Sequence, residues 1–333
     1  MDGYLTNFPN GISSFGVPIL GGAGGTGLVA FRKVYFVDRT YGHDGNSGLS
    51  VEASGAFKTV QAGLNAVRDQ DAIIVLPSST YNEQLTTGLA AGTPTAVPDA
   101  PKGQGRYVTL MGASSTKWAF DSPQLYNVDG DTATISVRSP GFRISGFRIV
   151  GDSGSPICVY AGIAGGSSTA GSVWAPGLQV DNNVFYGAVD SAAGLAMQAL
   201  MNFRILGNQF DHFPSTGTGA IVNVTGGLSA NPRGHIMGNI FTNCKDNIVA
   251  PYGSTVIAHN ILADNHVNPI TRGIILTGGT SNTVVFNVLG GAEYGSAMYI
   301  GATGDNWSGN ITTDDDATNI LGDTPWTQGA PVT

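Results

Sequence analysis

Charge is scarce in this sequence of 333 residues: Asp, Glu, Lys and Arg together make up 11% of it, under half of the ~25% common in soluble domains. The formal net charge is −8 and no run of Lys or Arg occurs. A phosphate-tracking stripe is thereby excluded, and with it a nucleic-acid partner. Cysteine is scarcer still. Cys158 and Cys244 cannot make a disulfide framework and read as small buried apolar side chains. Long apolar runs are missing too. Residues 3–31 carry no charge, but Asn7, Pro9, Asn10, Pro18 and the glycines from Gly21 to Gly27 interrupt them. No stretch approaches the ~20 apolar residues of a membrane span, so no membrane insertion is expected. Met1-Asp2-Gly3-Tyr4 lacks the basic and apolar regions of a signal peptide, which disfavours a stand-alone secreted enzyme.

What is abundant is glycine, 49 residues, beside an apolar fraction of 41%. Regular clusters of Val, Ile, Leu and Phe between turn formers describe a β-rich solenoid rather than a disordered chain. A short unit recurs: apolar, any residue, small residue, Asn, any residue, apolar. It reads Val180-Asp181-Asn182-Asn183-Val184-Phe185, then Ile205-Leu206-Gly207-Asn208-Gln209-Phe210, then Ile236-Met237-Gly238-Asn239-Ile240-Phe241. The aligned asparagines are Asn183, Asn208, Asn239, Asn260, Asn287 and Asn310, at intervals of 25, 31, 21, 27 and 23 residues. An Asn-less copy, Phe142 to Ile149, precedes them. A second strand, such as Gly273-Ile274-Ile275-Leu276, falls between successive copies. A period of about 25 residues holding two or three short strands is one rung of a β-solenoid. Roughly eight rungs between residues 106 and 312, plus the opening ones, predict a rod some 40–50 Å long at ~4.8 Å per strand. The asparagines are expected at corners, where Asn tolerates left-handed backbone and stacks on the Asn of the next rung.

Four segments follow from composition. Residues 1–31 form an extended arm, and 32–85 form a capping segment with the first rungs. Residues 86–313 form the parallel β-helix, and 314–333 a C-terminal cap or tail that begins with Asp314-Asp315-Asp316. In the arm, Phe8, Pro9, Ile12, Phe15, Val17 and Leu20 supply apolar contacts that a frayed terminus would not need. In the second segment, Phe57, Val60, Leu64 and Val67 recur at helical spacing. One amphipathic helix at this place makes sense as a lid over the first layer of core.

The opening reads Val37-Asp38, Gly42-His43-Asp44-Gly45-Asn46-Ser47-Gly48, Phe57-Lys58-Thr59-Val60-Gln61-Ala62-Gly63-Leu64, Asp71-Ala72-Ile73-Ile74-Val75 and Tyr81-Asn82-Glu83. It resembles the start of pectate-lyase-like right-handed β-helix proteins. The resemblance implies an all-β, single-stranded parallel β-helix with a strand, a capping helix and a Gly-Thr-Tyr-x-Glu-like turn, where Ser79 stands in place of the Gly. The stretch from Asn7 to Pro18 resembles a short leader on tailed-bacteriophage structural proteins that carry such a β-helix. That second resemblance implies a virion component assembled in the host cytoplasm and exposed on the particle. It would be a homotrimer bound to the major capsid protein or another virion protein.

β-Helix proteins include both polysaccharide-cleaving enzymes and non-catalytic ones, so chemistry has to be sought in the rungs. Glycoside hydrolysis needs two carboxylates some ~5–9.5 Å apart. Asp211 with Asp181 or Asp246, on neighbouring rungs, is the pair most able to meet that requirement, but each reads better as a solvated turn residue. The paired aspartates and Gly-His-Gly of polygalacturonases are absent, and Arg233-Gly234-His235 is the nearest echo. Asp211-His212, and His259 with Asp264 and His266, read as ordinary surface groups rather than metal ligands. No cofactor or metal is expected. The reading is a non-catalytic virion protein, either a capsid decoration, head spike or fibre. The alternative is a tailspike-like depolymerase that binds host surface glycan on Trp118, Trp174 and tyrosines.

Overall fold

The computed structural model describes residues 31–77, 80–88, 105–113, 122–127, 133–152, 157–162, 175–188, 193–197, 202–213, 219–223, 233–249, 253–263, 272–276, 281–290, 299–300 and 305–312, and the backbone of 12–14 and 17–20. Phe8, Pro9, Phe15, Trp118, Trp174, Asp264, His266 and the segment 314–333 lie outside them.

Three sheets dominate, and within each every strand runs parallel to its neighbours. The first has ten strands, from Val34–Val37 through Ala72–Val75 and Thr109–Gly112 to Asn306–Ser308. The second has nine, from Tyr81–Asn82 to Ile311–Thr312, and the third eight, from Leu85–Gly88 to Tyr299–Ile300. From Ala72–Val75 onward the chain visits the three in fixed order, one strand each per turn. The result is the right-handed parallel β-helix that the repeat predicts. From Thr109–Gly112 onward the first sheet holds eight strands, one per expected rung.

Alternation along each strand builds the core. Ile144, Val180, Ile205, Ile236, Ile257, Val284 and Trp307 stand in register on the inner side of the first sheet, all buried. On the second sheet Phe185, Phe210 and Phe241 stack face to face, with centroids 4.6 and 5.0 Å apart. Those distances match the ~4.8 Å between strands, so the ring stack follows from the rung spacing. Each such side chain contributes about 2–3 kcal/mol by burial.

At the corner between the first and second sheets, the six asparagines form one column, fully buried from Asn183 to Asn287 and half-buried at Asn310. The side-chain oxygen of Asn208 accepts the backbone N–H and the Nδ2 of Asn183, at 3.0 and 3.1 Å. Asn239 does the same for Asn208 at 2.9 and 3.0 Å, and Asn260 for Asn239 at 3.0 Å in both bonds. Asn287 and Asn310 extend the pattern. Each Nδ2 also donates back to a first-sheet carbonyl, as Asn239 does to Ile205 at 3.0 Å. In the Asn-less copy Phe147 occupies the column, and its N–H donates to Asn183 Oδ1.

The left-handed backbone is one residue earlier than predicted. It falls not on the column asparagines but on Gly146, Asn182, Gly207, Gly238, His259, Phe286 and Gly309, which all have positive φ. The physical reason is division of labour: the left-handed residue turns the chain, and the next one then aims its amide along the rod axis. A second left-handed column lies two residues before the first-sheet strands, and runs from Gln70 and Tyr107 to Ser254 and Ser281.

The lid is shorter than its apolar pattern. Helix α1 spans Val60–Ala66; Phe57 instead makes a parallel bridge to Val37, and Val67 is an extended C-cap. All four patterned residues are nevertheless buried. Thr59 caps the helix through Ala62 N–H, Asp44 accepts the N–H groups of Lys58 and Thr59, and Glu83 accepts those of Val60 and Gln61. Burial holds the Glu83 carboxyl above its ordinary pKa, with the two backbone bonds pulling the other way. Tyr81, fully buried, donates to the Leu76 carbonyl and accepts from Arg39 N–H. The Tyr-x-Glu turn thus pins strand, turn and lid together. In the arm, Ile12–Ser14 and Val17–Leu20 pair antiparallel, so a segment expected to be extended doubles back on itself.

Two substitutions separate these devices in urea unfolding. Gly238→Ala meets open space at φ +64° and should cost about 1 kcal/mol through backbone strain alone. Asn239→Ala should cost about 3 kcal/mol, because it strands two buried donors of Asn208.

Candidate functional site

The three carboxylates singled out from the sequence do not converge. Asp181 belongs to the first sheet, Asp211 to the second and Asp246 to the third. Nor is any of them a solvated turn residue. Asp181 ends the strand Gln179–Asp181 and is 4% exposed. Arg143, from the preceding rung, clasps it with two hydrogen bonds of 2.8 Å. Ser145 Oγ, Gln179 Nε2 and Asn182 Nδ2 complete the shell at 2.9, 3.1 and 3.1 Å. With five donors on its two oxygens, Asp181 has no lone pair left for a substrate proton. The expectation failed because its partner is 38 residues away in sequence but one rung away in space.

Asp211 ends a second-sheet strand, half-buried, and accepts from Thr242 Oγ1 and Asn243 Nδ2 of the following rung, both at 3.0 Å. Asp246 begins a third-sheet strand and is fully buried. Asp305 caps a shorter polar column that the sequence reading missed: Thr255 N–H donates to Asn282, and Asn282 N–H and Nδ2 donate to Asp305. Its signal was a Thr, Asn and Asp each placed one residue before a first-sheet strand.

The aromatic groups are spent in the same way. Tyr186 has the Arg148 guanidinium over its ring at 5.5 Å, from the preceding rung, and His212 stacked at 5.7 Å from the following one. His259 stacks on Phe286 at 5.4 Å, and Phe286 in turn covers Gly309, where an added Cβ would come within 2.6 Å of Cε1. These faces are occupied by the rod's own rungs rather than open to a sugar. Both cysteines are buried thiols outside any disulfide, and burial pushes the Cys158 thiol pKa far up, so it is no nucleophile. Among the described residues, no three His, Cys, Asp or Glu side chains gather as metal ligands.

Among the described residues, a groove of about 910 Å³ opens at the N-terminal end between α1 and the loop from Asp44 to Leu49. Lys33, Arg68, Gln61 and Asn65 line it. Its one carboxylate, Asp44, is consumed by Lys58 and Thr59, so the groove lacks an acid–base pair.

No protein-family model matches the chain, and no curated protein does. Among solved structures it is similar to an alginate lyase from Paenibacillus sp., at 14% identity over 76% of this chain and 92% of that one, with a TM-score of 0.45. A rhamnogalacturonan lyase gives 12% identity over 90% and 87%, TM-score 0.45. A pectin methylesterase solved with a hexasaccharide gives 12% over 79% of each chain, TM-score 0.36. Likeness at this level transfers no activity.

Arg143 and Asp181 make a stability prediction instead of a catalytic one. Arg143→Ala should cost about 3 kcal/mol by leaving a buried carboxylate unpaired, and Arg143→Met with Asp181→Leu should recover most of it in thermal melts.

Proposed function

We propose that this chain is a non-catalytic structural protein of a tailed-bacteriophage virion, a homotrimeric capsid decoration, head spike or fibre. Its residues 1–31 anchor it to the major capsid protein or another virion protein, and the rod projects from the particle surface. The observation that carries the non-catalytic part is the separation of Asp181, Asp211 and Asp246 onto three sheets, with Asp181 fully committed to Arg143 and its neighbours. The virion part rests on the arm: an uncharged stretch with Phe8, Ile12, Phe15, Val17 and Leu20, and the leader-like order from Asn7 to Pro18. The competing reading, a depolymerase acting on host surface glycan, needs carboxylates that meet across subunits.

Deletion of residues 1–31 should abolish incorporation into particles while the rod keeps its cooperative melt. Incorporation of the truncated chain at the full-length level would sink the anchoring role. Incubation of the purified protein with host capsular or cell-wall polysaccharide should release neither reducing ends nor unsaturated products. Release of either establishes the depolymerase.

A further inference from the structure

The outer side of the second sheet changes character along the rod. Its earlier rungs carry Arg148, Tyr186, Gln209 and Asp211. Its last four strands, Ile240–Thr242, Ile261–Ala263, Val288–Gly290 and Ile311–Thr312, carry no charge at all. Strand pairing sets Ile240, Ile261, Val288 and Ile311 side by side in one outward column. Ile261 is 45% and Ile311 39% exposed. Beside this ridge runs a shallow trough floored by the small residues Ala263 and Gly290, which pair with each other. At the adjoining corner Phe286 is 56% exposed and held at φ 56°. It stacks on His259 and covers Gly309, so the corner continues the apolar surface of the ridge. Of the six large apolar side chains exposed among the described residues, Ile261, Phe286 and Ile311 are half, and all belong to this patch.

We infer that this ridge is where copies of the chain meet side by side. The occupant is another copy for two reasons. A net charge of −8 disfavours self-association in general, and these four strands offer an approach without charge. A ridge lying beside a trough is also self-complementary: the aliphatic column of one rod fits over Ala263 and Gly290 of the next. The inference rests on the homotrimeric reading above and names its contact. The patch covers roughly 200 Å² of sheet, a quarter of the ~800 Å² per partner in a standard interface, so it is the apolar centre of a wider contact rather than the whole of it. One charge set into it is therefore enough to break the contact.

Sedimentation of the purified full-length chain over a dilution series tests this. An oligomer is expected, shifted strongly toward monomer by Ile261→Lys and by Phe286→Asn. Phe286→Asn keeps a residue suited to positive φ and should melt no lower than the parent, which guards against a simple folding failure. A chain that stays monomeric throughout, or an oligomer that neither variant weakens, overturns the ridge. A dimer that both variants dissolve supports the ridge and removes the trimer. Loss of particle incorporation by a variant that still assembles bears on the virion reading alone.

Discussion

In a parallel solenoid every backbone hydrogen bond of a strand goes to the rung above or below, so each turn must superpose on the next at one strand spacing. That single condition orders the whole molecule. It brings Phe185, Phe210 and Phe241 to ring-stacking distance. It also requires the same corner geometry in rungs of 21 to 31 residues. Extra length is therefore absorbed away from the first corner, where Asn183 through Asn310 repeat one hydrogen-bond pattern. A buried turn would otherwise leave donors unpaired, and the amide of asparagine is the short side chain that both accepts from one rung and donates to another.

Much of this was legible before any coordinates. The repeat, the column asparagines, the inward aliphatics and the Tyr81–Glu83 turn recur as residue types at readable offsets. The left-handed columns were not legible, because their occupants include Gln70, Tyr107, Arg233, His259 and Phe286, which carry no common turn signature. The Arg143–Asp181 clasp was hidden for a related reason: sequence spacing shows which residues share a strand, not which side chains meet across rungs of unequal length. The helix was overextended in prediction because its apolar spacing continues through the bridge at Phe57 and the cap at Val67.

The same rung-to-rung pairing bears on function. Polar side chains on the outer faces are used by their neighbours along the rod: Asp181 by Arg143, Asp211 by Thr242 and Asn243, and Tyr186 by Arg148 and His212. Each of these side chains is thereby held by the rod's own neighbouring rungs. Among the described residues, three of the six large exposed apolar side chains, Ile261, Phe286 and Ile311, lie toward the C-terminal end of the second sheet and its corner.

The asparagine column also has a sense of direction. In each link the donors belong to the earlier rung and the acceptor oxygen to the later one, from Asn183 through to Asn310. The amide dipoles therefore point the same way, and neighbouring bonds polarise one another. At the start the series is closed by a residue with no amide to offer, Phe147, whose main-chain N–H meets the first oxygen. At the far end Asn310 Nδ2 donates back to the Val284 carbonyl at 2.8 Å, as its predecessors do one rung earlier. The column is thus electrically polar along the rod axis, with one sense maintained over every described link.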